Sequence, residues 1–158
     1  CLRRSRRRSR RPVSAAIDVN PLVYASDTSS PFHEAALAFV ERLAAGRELV
    51  YLFWPTAMAY LRTATHPSTF ASPLSSRQAV ANLTALLGVP HVRSPGEAVG
   101  FWATFGAVAD EVAPRGNLVP DAHVVALMRA YGVAGIWTRD RDFLKFDGVR
   151  VLDPFAPR

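Results

Sequence analysis

Ala15-Ala-Ile-Asp18-Val-Asn20-Pro21 decides how the rest of the chain is read. Two alanines and an isoleucine make a short apolar run suited to a strand covered on both faces, and a carboxylate closes it. Asn20 then offers a helix cap, and Pro21 fits the first helical position, where its missing N–H is no loss. A buried strand feeding directly into a helix is half of a βαβ unit. The pattern repeats outward from there. Ser30-Pro31 opens a helix whose apolar stripe is Phe32, Ala35, Ala36, Phe39, Val40 and Leu43, stopped by Gly46. Leu49–Phe53 reads as a second covered strand. A helix from about Thr56 must end before His66-Pro67, because proline crowds the residue ahead of it. Ser75 and Gln78 form a capping box for a helix closing at Gly88, and Ser94 with Glu97 reads as another, leading a helix through Val112. Val119–Tyr131 is a further helix closed by Gly132, and Ile136-Trp137 and Val149–Leu152 complete the strands. The expectation is an α/β fold, a three-layer α/β/α domain with a mainly parallel sheet of four or five short strands.

Composition narrows the function. At 158 residues, with 49% hydrophobic content, the chain suits one domain with a full core. A single cysteine, Cys1, leaves no disulfide framework and no zinc–thiolate cluster, and fits a reducing, cytoplasmic setting. The net charge of +6 is local rather than general. Residues 1–11 hold seven arginines and no acid, so the other twelve Lys and Arg face thirteen Asp and Glu, a balance of −1. Residues 1–12 are expected to be a disordered Arg-rich leader, read as a start-site artefact in preference to an RNA-binding arm, with the domain occupying 13–158. No apolar stretch is long enough for a membrane span. Neither G-x-G-x-x-G, a Walker loop nor G-x-S-x-G occurs, so nucleotide-cofactor and serine-hydrolase chemistry lack support.

Position then selects among the acids. Asp18 ends the first strand, Asp140 and Asp142 follow the Ile136-Trp137-Thr138 run, and Asp121 lies in the first turn of the helix entering that strand. The carboxyl ends of parallel strands line the crevice where ligands bind. Each acid alone has an ordinary reading, as a cap, a first-turn acid or a turn former. Carboxylates converging on one sheet end repel one another, and a hard divalent cation with oxygen ligands relieves the repulsion. The four histidines show no ligand spacing, and Trp54, Trp102 and Trp137 read as core residues.

Asp18-Val-Asn20 with its following Leu-Val-Tyr-Ala resembles the opening motif of PIN-domain ribonucleases. Gly116-Asn-Leu-Val-Pro-Asp121-Ala-His is similar to that family's third-acid segment, and Thr138-Arg-Asp140-Arg-Asp142-Phe143 to its closing motif. Trp54, Tyr60-Leu-Arg-Thr-Ala-Thr-His66-Pro67 and Phe70-Ala-Ser-Pro-Leu-Ser75 resemble, more narrowly, VapC-type toxins of toxin–antitoxin pairs. The resemblance implies a Mg²⁺- or Mn²⁺-dependent endoribonuclease with Asp18, Asp121 and Asp140 as metal ligands. Asp142 would join the catalytic acids through water or as a turn acid, with Asn20 and Thr138 orienting the carboxylates. It also implies an RNA substrate, often tRNA, a cognate VapB-type antitoxin and a homodimer, here expected to use helices between Pro31 and Gly88. Arg62 and Arg139 flank these elements and are candidates for phosphate contact. One departure stands out. Many relatives carry a Glu on the helix after the second strand, where this chain reads Thr56-Ala-Met-Ala-Tyr-Leu, and no acid occurs between Glu48 and Glu97. The alternative is therefore a catalytically weakened PIN-like module acting in RNA or protein binding.

Overall fold

The computed structural model describes residues 14–157; the boundary expected between residues 12 and 13 lies outside them. Five strands, β1 (Ser14–Ile17), β2 (Leu49–Tyr51), β3 (Val92–Arg93), β4 (Gly135–Trp137) and β5 (Arg150–Leu152), form one parallel sheet in the order β3-β2-β1-β4-β5. Six helices cover it: α1 (Val19–Ser26), α2 (His33–Ala45), α3 (Trp54–Ala64), α4 (Ser76–Leu87), α5 (Phe101–Val112) and α6 (Leu118–Ala130). Strand alternation sorts side chains between two cores. Ala16, Phe53 and Ile136 pack with α5 and α6, whereas Ile17, Val50 and Leu52 pack with α1 to α4. The result is the expected three-layer α/β/α arrangement, with β3 as a two-residue edge strand that the sequence pattern does not separate.

Chain order fixes where a ligand crevice forms. From β1 the chain moves outward to β2 and β3, then crosses back to place β4 on the other side of β1. The order reverses between β1 and β4, so the crevice opens at their carboxyl ends. Asp18 and Thr138 stand at those ends.

Several local readings are corrected. Asp18, not Asn20, occupies the cap position of α1, and Pro21 falls at its third residue. Leu52 and Phe53 are fully buried beyond the end of β2; the Leu52 N–H still donates to the Arg93 carbonyl at 2.9 Å, and Phe53 caps α3, which begins two residues earlier than expected. The Ser75–Gln78 box forms with both reciprocal bonds. The Ser94–Glu97 box does not. The Ser94 hydroxyl donates to the Leu52 carbonyl and Glu97 pairs with His123, so α5 starts instead at Phe101 after Gly100, whose φ of 84° suits glycine. Trp54 and Trp102 are not core residues; they are 43% and 78% exposed.

Candidate functional site

The site is built from three strand-to-helix or helix-start junctions. β1 delivers Asp18, whose backbone N–H continues the ladder by donating to the Trp137 carbonyl at 3.0 Å. α6 presents Asp121 in its first turn, where the helix dipole favours a carboxylate. After β4 the chain passes through Thr138 into a 3₁₀ turn, Arg141–Lys145, capped by Asp140. Phe143 is fully buried and anchors that turn, aligning Asp140 and Asp142.

Carboxylate oxygens of Asp121, Asp140 and Asp142 all lie within 4.8 Å of one another. Asp18 is placed beside this trio rather than within it. It is buried, and Thr138, itself fully buried, donates from Oγ1 to Asp18 Oδ2 at 2.7 Å. The same hydroxyl accepts from the Asp140 N–H at 2.9 Å, so one side chain ties the end of β1 to the acid after β4. Asn20 lies half-buried in the first turn of α1, and among the described residues no side-chain hydrogen bond joins it to Asp18.

Turn capping, one of the two places expected of Asp142, does not fall to it. Instead Asp140 Oδ1 accepts from the Asp142 N–H at 2.9 Å, while Asp142 reaches Lys145 Nζ at 2.7 Å. A 3₁₀ turn, rather than extended chain, brings both carboxyl groups to the same side. Lys145 is a residue that sequence reasoning misses, although its place three residues after Asp142 is the spacing of a helical ion pair.

Electrostatics mark the same place. Burial pushes the Asp121 carboxyl up to about 7, reinforced by the neighbouring Asp140, Asp18 and Asp142, with Lys145 opposing. Burial also raises Asp18, against the lowering effect of the Thr138 and Val19 hydrogen bonds. A half-buried group of carboxylates with a single exposed lysine is undercompensated. Its donors are all hard oxygens, which suits a hard divalent cation that retains waters.

The two expected phosphate contacts fare differently. Arg62 is exposed on α3. Arg139 turns its guanidinium over the rings of Phe32 and Phe155, 4.8 and 5.5 Å from their centroids, with Asp153 at 3.9 Å. Its established contacts therefore clamp the chain after β5 to the start of α2. Of the histidines, His123 pairs with Glu97 at 2.6 Å, and His91 and His33 bond backbone carbonyls of Leu43 and Tyr24, which fits packing roles.

Comparison with known proteins now bears on this geometry. No model of a protein family matches the chain. Ribonuclease VapC48 of Mycobacterium tuberculosis (strain ATCC 25618 / H37Rv) is 54% identical over 144 residues, covering 91% of this chain and 99% of that protein. The chain belongs to the VapC ribonuclease family. Ribonuclease VapC37 of the same organism is 31% identical to this VapC chain over 140 residues, covering 89% of it and 96% of the relative. Among solved structures, M. tuberculosis VapC20, described as a sarcin–ricin loop cleaving toxin, superposes with a TM-score of 0.62 at 18% identity, covering 86% and 98% of the two chains. VapBC2 from Rickettsia felis, bound to a DNA fragment from its promoter, gives 0.62 at 14% identity, covering 88% and 97%. These two likenesses establish that the fold is that of VapC toxins, the PIN-domain architecture. Among the described residues no helix is long and apolar enough to cross a membrane.

Proposed function

We propose that this VapC chain hydrolyses RNA phosphodiester bonds with Mg²⁺ or Mn²⁺ held by its acid cluster. The observation that carries the reading is the convergence of Asp121, Asp140 and Asp142 within 4.8 Å at the carboxyl edge of a parallel sheet. Asp18, Asp121 and Asp140 hold the ion, with Asp142 completing the set directly or through a water. When bound, the cation lowers the pKa of a coordinated water and stabilises charge on the scissile phosphate. The protein's own part is orientation. Thr138 fixes one oxygen of Asp18 and the backbone before Asp140, so the carboxylates meet the ion without searching rotamers. Lys145 stands on the rim, where a cation can meet the RNA backbone.

The same reading supplies partners. The relatives' name points to RNA as substrate, tRNA among the candidates, and the VapBC2 complex points to a VapB-type antitoxin. We assign a cytoplasmic location and a two-fold dimer through helices between Pro31 and Gly88, where Leu37, Met58 and Val80 are exposed. The absence of an acid on α3 favours a second reading, a weakened module that binds without cleaving. Incubation of purified protein with a tRNA and rRNA pool, with Mn²⁺ or with chelator, separates the two. Metal-dependent cleavage lost in Asp121→Asn supports the nuclease; binding without cleavage supports the module. Light scattering gives the oligomeric state.

A further inference from the structure

Thr56 is the third residue of α3 and is only 3% exposed, yet its Oγ1 has no hydrogen-bond partner, the one such buried side-chain atom among the described residues. Leaving a buried hydroxyl unpaired costs a fold about 1–3 kcal/mol. Valine has nearly the same shape and would leave nothing unpaired. As a filler of space, the hydroxyl is a liability unless something polar reaches it.

Its place in the fold says what that is. The parallel register sets Ala16 beside Tyr51, which brings Asp18 level with Phe53. The caps of α1 and α3 thus stand side by side at the carboxyl edge of the sheet. α3 packs against both α1, which follows Asp18, and α6, which carries Asp121. Along α3, Thr56 shares a stripe with Phe53, three residues before, and Tyr60, four after. Phe53 belongs to the core beneath α6 and Tyr60 to the core beneath α1, so Thr56 lies on the seam between them. This is also the helix on which the chain has no carboxylate to offer.

We infer that the Thr56 hydroxyl is a positioning residue of the metal site, its oxygen accepting a hydrogen bond from a water of the cation's shell on the side where no acid is present. The inference rests on the metal-dependent reading above. A neutral hydroxyl is a poor direct ligand for a small divalent ion, which keeps several waters, whereas outer groups that orient those waters tune affinity. The carbon atoms of Thr56 fill the seam, and its hydroxyl is the polar group that α3 offers there.

The test is Mn²⁺ binding without RNA, followed by the loss of the free-ion paramagnetic signal, with melting temperature measured in chelator. Thr56→Val is expected to melt at or above the parent temperature without metal and to bind Mn²⁺ about tenfold more weakly. Thr56→Ser, which returns the hydroxyl, is expected to restore affinity to within about twofold. Asp121→Asn is measured alongside. Parent affinity in Thr56→Val, with binding weakened in Asp121→Asn, overturns the role of Thr56 and leaves the metal site standing. Parent affinity in Asp121→Asn, or no Mn²⁺ binding by the parent, overturns the metal reading and this inference with it. If Thr56→Val melts lower than the parent, Thr56→Ala removes the hydroxyl without adding bulk and decides by the same titration.

Discussion

Glu111 and Asp121 sit on neighbouring helices, α5 and α6, and their carboxyl groups are displaced in opposite directions. Glu111 is held below the usual range, first by the Asp147 backbone N–H and then by Arg129, which reaches it at 2.6 Å. Glu97 is lowered as well, by its own backbone N–H and by His123. Asp121 is raised to about 7, because burial and three other aspartates act on it against one lysine. On the outer surface of the α5–α6 layer each of these acids has donors of its own. At the sheet end four aspartates share one cationic partner, Lys145. The difference separates carboxylates that serve the fold from carboxylates the fold tolerates, and the second kind is where charge from outside is needed.

The largest effect expected from this contrast is on cleavage. Asp121→Asn and Asp140→Asn should each lower Mn²⁺-dependent RNA hydrolysis at least about 100-fold, since loss of the ion removes several kcal/mol of transition-state stabilisation. Asp140→Asn is the cleaner of the two. An asparagine oxygen can still accept from the Asp142 N–H, so the 3₁₀ turn keeps its cap while the charge goes. Asp142→Asn should cost less, about tenfold, and release Lys145. Glu111→Gln should leave the rate unchanged. Gel assays on a common RNA rank the four, and a rate in Asp142→Asn below that in Asp140→Asn would exchange the roles of the two aspartates.

A second effect concerns stability without metal. Below the ordinary value of 3.8, Asp121 is protonated in both folded and unfolded chains and costs nothing. Between there and about 7 the folded state still holds a proton the unfolded chain has released, so stability falls as pH rises and the full cost is present above 7. Asp121→Asn should therefore raise stability in chelator at pH 8 by roughly 1–2 kcal/mol, after allowance for solvent screening. Adding Mn²⁺ should raise the melting temperature of the parent and not of Asp121→Asn. A parent melting curve independent of pH between 5 and 8 in chelator would contradict the crowding argument.

Much of this is legible in the sequence, and the reasons for the exceptions are physical. A short apolar run ending on an acid locates β1 and Asp18, and the run of β4 locates Asp140 and Asp142 just beyond it. The Ser75–Gln78 box forms because nothing competes for its groups. The Ser94–Glu97 box has the same letters, but Ser94 finds the Leu52 carbonyl and Glu97 finds His123 from another helix. Capping signals are local, and tertiary partners outbid them. The two-residue β3 carries too little pattern to be read as a strand. Spacing alone does not divide Asp140 from Asp142, and it carries no sign of the 3₁₀ turn that brings both carboxyl groups to the same side. Trp102 looks like core in an apolar run, yet it stacks on Phe105 at the surface of α5, since periodicity cannot tell which face another layer covers.

Arg139 gives a smaller test of where function stops and packing starts. Its guanidinium lies over Phe32 and Phe155, an arrangement worth about 0.5–1 kcal/mol at a partly exposed site. Arg139→Ala should lower stability by about that amount and leave KM for RNA near the parent value. An increase in KM with an unchanged melting temperature would restore Arg139 to the substrate-contact role read from its position beside Asp140.

The smallest effect belongs to the other side of the comparison. Glu111 bridges Arg129 and the Asp147 N–H, joining α5 to the C-terminal end of α6 and to the loop before β5. Because its folded value is lowered, its contribution to stability is present above the ordinary value of 4.5 and is lost as pH falls through the folded value. The pair lies at the surface, where such contacts contribute about 0.2–1 kcal/mol and weaken with salt. Glu111→Gln retains an oxygen for the Asp147 N–H and gives up only the charge. It should therefore destabilise by a few tenths of a kcal/mol at low salt and by less at 1 M, where the Debye length is about 3 Å. Denaturant titrations at both salt concentrations measure this directly. A loss as large at high salt as at low would mean that the bridge works through hydrogen-bond geometry alone, and the contrast with Asp121 would then rest on burial rather than on paired charge.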